Sequence, residues 1–344
     1  MHARRRSNKG KLTVRATLIW HLDLPRVHNR DWIRFLLGDL IDDEVVDLQG
    51  QICRPYSIIV EDNRSKTPAE FFQSAATMRP IGLFHIFDQY LSFDYDKYRH
   101  FDFVIKTHWS SAFDVDRLLV VPIGYESDLP FRQNFVPASQ RSLLWSFAGV
   151  LKSSRYEMVR ALDDVGPSCI HATPTKDQRL PKSRYVELLE NSVFAPCPMG
   201  NVIMESFRLY ESLEAGCIPI LEKRFFIKYY EHLLDNPPLL FVWTWKEAKQ
   251  KMAALAADPA ALDHVQRETR EWWQQYKSAL RERVQQFVAA GFAPERSSCE
   301  GVRVSTMTRL PGWNYAELLR HQSPPALLWR IQRNLLRGRL RVPI

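Results

Sequence analysis

The sequence predicts an α/β protein made of two doubly wound halves, each a parallel sheet covered by helices, facing each other across a cleft. Three observations carry this expectation. Short apolar runs alternate with helix-patterned segments along the first third of the chain. The alternation then stops at ESDLPFRQNFVPASQRS, 126–142, a polar, proline-containing stretch without clear periodicity, which reads as a linker. Beyond it the same alternation restarts. With 344 residues the chain has room for two such halves, each able to bury its own apolar surface. The expected divisions are 1–138, 139–300 and a basic helical tail at 301–344.

Each element has its own reason. KLTVRATLIW is a first strand, followed by a helix capped near Asn29 with Trp32, Phe35 and Leu36 on its buried side. YSIIVED is a second strand that ends on Glu61, Asp62 and Asn63. In SKTPAEFFQSA, Thr67 is placed to cap, Pro68 to occupy the first helical position and Glu70 to complete a capping box. PIGLFHIFD, FDFVIK and RLLVVPIGY supply three more strands. In the second half LLWSFAG, SCIHA, SVFAPCP, GCIPIL and LLFVW read as strands. Helices fall at Met158 and Val159, at KSRYVELLEN, at RFFIKYYEHLL and from Trp245 to about Ala290. Two such sheets place a ligand between their facing carboxyl ends.

Composition excludes several functions. The chain is 45% hydrophobic and 25% charged, the balance of a folded globular protein. Its five cysteines, Cys53, Cys169, Cys197, Cys217 and Cys299, form no C-x-x-C pair and no zinc spacing, so a reducing compartment is expected and a structural metal is not. The longest uncharged run, Asn191 to Met204, is too short and too broken by proline to span a bilayer. No signal-peptide pattern opens the chain, and a cytoplasmic protein is expected.

The net charge of +8 gathers at the ends, with Arg4, Arg5, Arg6, Lys9 and Lys11 at one and Arg330, Arg333, Arg337, Arg339 and Arg341 at the other. In the last segment Leu328, Ile331 and Leu335 share one helical face and Arg330, Arg333 and Arg337 another. Two readings stand: a tail docked on its own domain, or peripheral contact with an anionic membrane. Nucleic acid is not an expected partner, since neither zinc-finger spacing nor aromatic-basic interleaving occurs.

The richest stretch is MESFRLYESLEAGCIPIL, Met204 to Leu221. Gly200 opens a turn from a strand into a helix whose first turn is expected to hold Glu205, Ser206 and Arg208. Free N–H groups at a helix start suit phosphate, and Arg208 can add a bidentate contact. Glu205 suits the positive end of the helix dipole, while Glu211 and Glu214 share a stripe with Phe207. For Glu205 and Glu214 the plain reading is a solvated helix face.

FAPCPMGNVIMESFRLYESLEAGCIPIL resembles the signature of the exostosin-type glycosyltransferases, glycosyltransferase family 47, at Cys197, Pro198, Gly200, Ser206, Phe207, Arg208, Glu211, Ala215, Gly216, Cys217 and Pro219. SFAGVLKSSRYEMV resembles the segment that opens the family's nucleotide domain, with Gly149 and Arg155 in matching places. IGLFHIFDQY, YRHFDFVIKTHW and VVPIGY resemble, more distantly, its ribitol xylosyltransferase branch. Ser212 departs from the usual alanine, and the membrane anchor common in the family is not seen.

The resemblance implies a GT-B fold, two Rossmann-like domains with the acceptor on the first and the sugar nucleotide on the second. It implies a UDP-sugar as co-substrate, no cofactor and no metal, with Glu211 on the ribose and Arg155, Arg208 and the N–H groups near Ser206 on the diphosphate. An inverting transfer to a hydroxyl of a bacterial envelope glycan, free or lipid-linked, is the expected reaction. Its base is sought at strand ends of the first half, where His85 and Asp88 rank ahead of Glu61 and Asp62. A satisfied core histidine remains the other reading of His85. Asp94–Asp96 and Asp114–Asp116 are short matches to a metal-binding motif of a different fold. A GDP-fucose enzyme and a non-catalytic sugar-nucleotide-binding subunit are the two alternatives.

Overall fold

A computed structural model describes residues 15–62, 67–132, 134–152, 154–175, 178–293 and 301–322. The basic clusters at Arg4–Lys11 and Arg330–Arg341, with the amphipathic pattern at Leu328–Leu335, lie outside the described residues, as do Asn63 and Cys299.

The first half is a six-stranded sheet. Its strands are β1 (Ala16–Trp20), β2 (Ile41–Val46), β3 (Ser57–Asp62), β4 (Ile81–Ile86), β5 (Phe103–Thr107) and β6 (Leu118–Val121), in the order β2-β1-β3-β4-β5-β6. Every pairing is parallel. Helices α1 (Arg30–Leu37) and α2 (Ala69–Thr77) connect the first strands. The second half has β7 (Leu143–Val150), β8 (Ser168–Thr173), β9 (Ser192–Cys197), β10 (Ile218–Glu222) and β11 (Leu240–Val242), in the order β11-β10-β9-β7-β8, again parallel. Its helices are α3 (Ser154–Leu162), α4 (Lys182–Glu190), α5 (Phe207–Glu214), α6 (Tyr229–Leu234), α7 (Trp245–Ala256) and α8 (Pro259–Gly291). Strand order reverses between β1 and β3 in one sheet and between β7 and β9 in the other, and such reversals are where open α/β sheets hold ligands. The two Rossmann-like halves of the expected GT-B class are therefore present.

Three elements differ from expectation. β2, IDDEVV, is an added edge strand, largely exposed. It carries three acids, of which Glu44 accepts from Trp20 Nε1 (2.8 Å) and Arg34, and Asp43 pairs with Arg54; charge on an edge strand discourages pairing with other chains. Pro68, not Thr67, is the N-cap residue of α2, because the Thr67 hydroxyl is bonded to His21 Nδ1 (3.0 Å). The helix expected over RFFIKYYEHLL is confined to α6, since Arg224 and Ile227 form an isolated bridge that turns Phe225 and Phe226 outward.

One apolar core fills the first sheet and continues through the interface to one face of the second; a smaller cluster lies on that sheet's other face. α8 ties the halves together. This 33-residue helix, about 50 Å long, packs Trp273 on Trp32 and carries Phe287 and Gly291 onto Phe103 of β5. Residues 301–322 continue over the first half, with Val302 N–H bonded to Phe101 O (3.2 Å) and Trp313 of α9 (Trp313–Leu319) edge-on to Tyr95 and Phe113. They end at the interface, where His321 Nδ1 accepts from Met204 N–H (3.2 Å). Among the described residues no helix is long and apolar enough to cross a membrane.

Candidate functional site

The second sheet builds the more strongly charged wall of the cleft. β7 ends at Ala148, Gly149 and Val150, and the carbonyls there hold two arginines: Arg208 Nη2 donates to Ala148 O (2.5 Å) and Arg155 Nη1 to Val150 O (2.9 Å). Arg208 comes from the first turn of α5 and lies over the Phe147 ring at 4.5 Å. Arg155 comes from the first turn of α3. Burial, the charge of Arg208 and then that of Arg179 push the Arg155 guanidinium down to about 9, with Tyr185 acting the other way. The Arg155 Nε and the Ser154 hydroxyl are buried without a hydrogen-bond partner among the described residues. Guanidiniums crowded in this way, beside an unsatisfied donor, form a site that a multiply charged anion stabilises.

Glu211 stands one turn beyond Phe207 on α5 and is 5% exposed. Its Oε2 accepts from the Tyr185 hydroxyl of α4 at 2.6 Å. Burial and, less strongly, the charge of Glu126 raise its pKa, while Tyr185, Arg208 and the Glu126 N–H draw it back. α5 can turn sharply into β10 because Gly216 adopts φ +67°; a Cβ there would stand 2.2 Å from the Phe135 ring. Gly200 closes the preceding turn through its N–H to Ile203 O (2.9 Å). Ser206 is the N-cap residue of α5, and its hydroxyl makes no capping bond among the described residues. Gly149, Arg155, Arg208 and Glu211 thus converge at the β7/β9 reversal, with Gly200 and Ser206 in the turn beside them.

Glu205 is not solvated. It precedes α5, is buried, and spans the halves: Oε1 accepts from Ile123 N–H (2.9 Å) and Tyr210 OH, Oε2 from Tyr229 OH (2.8 Å), with His108 Nδ1 at 3.5 Å. Glu214 is largely withdrawn from solvent as well, paired with Lys277 (2.7 Å) and bonded to Trp273 Nε1 (2.9 Å).

In the first half, His85 and Asp88 are both core groups. His85 is fully buried, lies tilted against Phe93 with ring centroids 4.1 Å apart and bonds Tyr98 OH through Nδ1 (2.6 Å). Burial and then Lys106 lower its pKa to about 3. The Asp88 carboxylate accepts from Ser92 N–H (2.9 Å), Tyr95 OH and the buried Lys106 ammonium (3.3 Å). Burial alone would raise the Asp88 carboxyl, but Lys106, His85 and these hydrogen bonds hold it at about 2. Glu61 is also buried, with burial raising it to about 8. Asp94 caps a short helical turn, Asp96 pairs with Arg309 (2.6 Å), and Asp114 and Asp116 lie on a surface connection.

On the first-half side His28, in the connection after β1, packs against both halves. Its ring lies edge-on between Phe87 of the first half (6.2 Å) and Phe207 of the second (6.4 Å), and Nδ1 is 3.7 Å from Glu126 Oε1. Sequence reasoning missed His28, Glu126, Arg179 and Tyr185. The first three sit in irregular stretches with no period to mark them, and Tyr185 looked like an ordinary helix position.

Residues 130–293 match the family model described as RXYLT1 C-terminal domain. The segment contains every donor-side residue named above, and the resemblance to the ribitol xylosyltransferase branch holds over it. No curated protein matches the chain in sequence. Among solved structures the chain is similar to an α1,3-fucosyltransferase, at 11% identity and TM-score 0.47 over 74% of this chain and 81% of that one. It is similar to an α-glucosyltransferase in complex with UDP-glucose and DNA containing an abasic site, at 11% and 0.49 over 80% and 99%. It is similar also to Anabaena Alr3699/HepE in complex with UDP and glucose, at 10% and 0.45 over 80% and 100%.

Proposed function

We propose, from the family match over 130–293 and the arginine-lined cleft it contains, that this chain is a GT-B glycosyltransferase using a nucleotide sugar, a UDP-sugar, as donor. The observation that carries the reading is the meeting of Arg155, Arg208 and the charge of Arg179 beside buried Glu211 at the strand-order reversal of the second sheet. In this reading the second half holds the nucleotide and the first half the acceptor. Arg155 and Arg208 grip the diphosphate, the N–H groups near Ser206 at the start of α5 assist, and Glu211 takes the ribose hydroxyls by exchanging its Tyr185 bond.

The transfer inverts the anomeric centre. An acceptor hydroxyl oxygen bonds to the anomeric carbon as the bond from that carbon to the diphosphate oxygen breaks, and the electron pair leaves with the diphosphate. Fixed guanidiniums stabilise that developing charge without reorganising, which is the part a metal plays elsewhere. The acceptor is a hydroxyl of a bacterial envelope glycan, lipopolysaccharide or capsule, in a protein that works in the cytoplasm or at the inner membrane face.

A thermal-shift screen with UDP, UDP-sugars, GDP and CMP tests the donor. Stabilisation by UDP and one or more UDP-sugars alone supports the reading. Stabilisation by GDP alone moves it to a GDP-sugar enzyme, and UDP binding without turnover on any acceptor makes the chain a non-catalytic binding subunit.

A further inference from the structure

We propose that His28, oriented by Glu126, is the group that accepts the proton of the acceptor hydroxyl; this rests on the donor reading above. Four observations bring the inference. His28 is half-exposed, whereas His21, His85, His108 and His321 are buried. Its ring is held between one aromatic of each half, Phe87 and Phe207, so it stands where the two halves meet. Phe207 is the residue before Arg208, so His28 packs on the same turn of α5 that carries that arginine. Glu126 then links the two sides, its carboxylate beside His28 Nδ1 and its backbone N–H acting on Glu211.

The chemistry follows from which nitrogen is engaged. With Nδ1 facing the Glu126 carboxylate, the ring proton belongs on Nδ1 and the Nε2 lone pair is left to act as base. In the step, the acceptor O–H proton moves to Nε2 as the oxygen attacks the anomeric carbon, and the diphosphate leaves with the bonding pair. The resulting imidazolium is stabilised by Glu126, which acts as a positioning residue and never receives the proton. Such a base contributes roughly 100-fold to 10,000-fold in rate. The other charged groups around the pair are Arg179 and Lys182, whose charges reach Glu126, Glu211 beyond it, and Arg30 and Asp128, which pair beside Ser127. Lys182 also holds the Ser127 carbonyl at 2.6 Å.

The experiment uses the full chain and the UDP-sugar that gives the largest thermal shift, following UDP release with water and then a monosaccharide panel as acceptor. His28→Ala is expected to keep the UDP shift, lose at least about 100-fold in kcat, flatten the acid limb of the pH profile and regain turnover on addition of imidazole. Glu126→Gln keeps an amide oxygen toward Nδ1 and removes the charge that stabilises the imidazolium, so kcat should fall while KM for the donor stays as it was. A His28→Ala protein that binds UDP and retains a third or more of the turnover, with its acid limb unchanged, overturns the assignment. Absence of a shift with any sugar nucleotide in the unsubstituted protein overturns the donor reading and this proposal together; loss confined to His28→Ala turnover leaves the donor reading standing.

Discussion

Arg208 lies directly over Gly149: a Cβ built at that glycine would stand 2.9 Å from Arg208 Nη2. The glycine, at φ +148°, is the reason the guanidinium can reach the Ala148 carbonyl at the end of β7. Gly149→Ala should displace Arg208 and, because an L residue is strained at that φ, also loosen the end of β7, so its melting temperature is read beside its affinity. Losing one charge-assisted bond of about 1.5 to 3 kcal/mol corresponds to UDP binding weaker by roughly 10-fold to 150-fold, measurable by titration calorimetry. Unchanged affinity would show that Arg208 does not meet the nucleotide.

Arg208→Ala should abolish transfer, weaken UDP binding by a similar factor and leave the circular dichroism spectrum intact. Because the charge of Arg208 is one of the groups holding the Arg155 pKa down, removing it lets Arg155 rise again. Arg155→Met in the same background should therefore cost further affinity. If the double variant binds as the single one does, Arg155 lies outside the diphosphate site.

Glu211 and the arginines are assigned to different parts of one ligand, which separates their signatures. Glu211→Gln should weaken UDP by about 1 to 3 kcal/mol while leaving inorganic pyrophosphate binding nearly as it was. Equal losses for the two ligands, measured by calorimetry, would contradict a ribose contact.

Stability should depend on pH through Glu61. Its folded pKa of about 8 lies above the unfolded value, so between about pH 4.5 and 8 the native state holds a proton that the unfolded chain has released. Stability from this group is fully present at low pH and falls as pH rises. His21, lowered by burial to about 4, acts oppositely but only below about pH 6.5. Between pH 6.5 and 8.5 Glu61 acts without that opposition. Thermal melts should show Glu61→Gln gaining on the parent protein over that interval, by roughly 2 to 4 °C for each kcal/mol. A constant gap would mean that Glu61 is ionised in the folded protein throughout.

Lys106 and Asp88 form a fully buried pair. Asp88→Ala leaves an uncompensated ammonium inside the first sheet and should cost about 3 to 5 kcal/mol, read from urea denaturation. Adding Lys106→Met should recover most of that loss. Failure of the second substitution to rescue the first would show that Asp88 is held for some reason other than Lys106.

Local chemistry was legible and distant partnership was not. The strands of the second half and the turn from Gly200 into α5 were readable because a strand, a tight turn and a helix start are decided by adjacent residues. Glu205 was read as a dipole partner since its true partners, Ile123 and Tyr229, lie 82 and 24 residues away. Asp88 looked available at a strand end, but Lys106, 18 residues on, claims it. His28 and Glu126 fell in connections, where polar residues are expected and nothing in the spacing distinguishes a surface side chain from one held where the two halves meet.

The path of α8 has a consequence for how the chain comes off the ribosome. Phe103, at the start of β5, is covered by Phe287, Gly291 and Phe292, and Phe101 is bridged by Val302. The half that is synthesised first is thus sealed by residues translated after the second sheet, so its own sheet must wait, partly uncovered, until the second half has emerged. A fragment ending at 258 should accordingly bind a hydrophobic dye and precipitate. Appending 259–322 should restore a soluble protein with one cooperative unfolding transition.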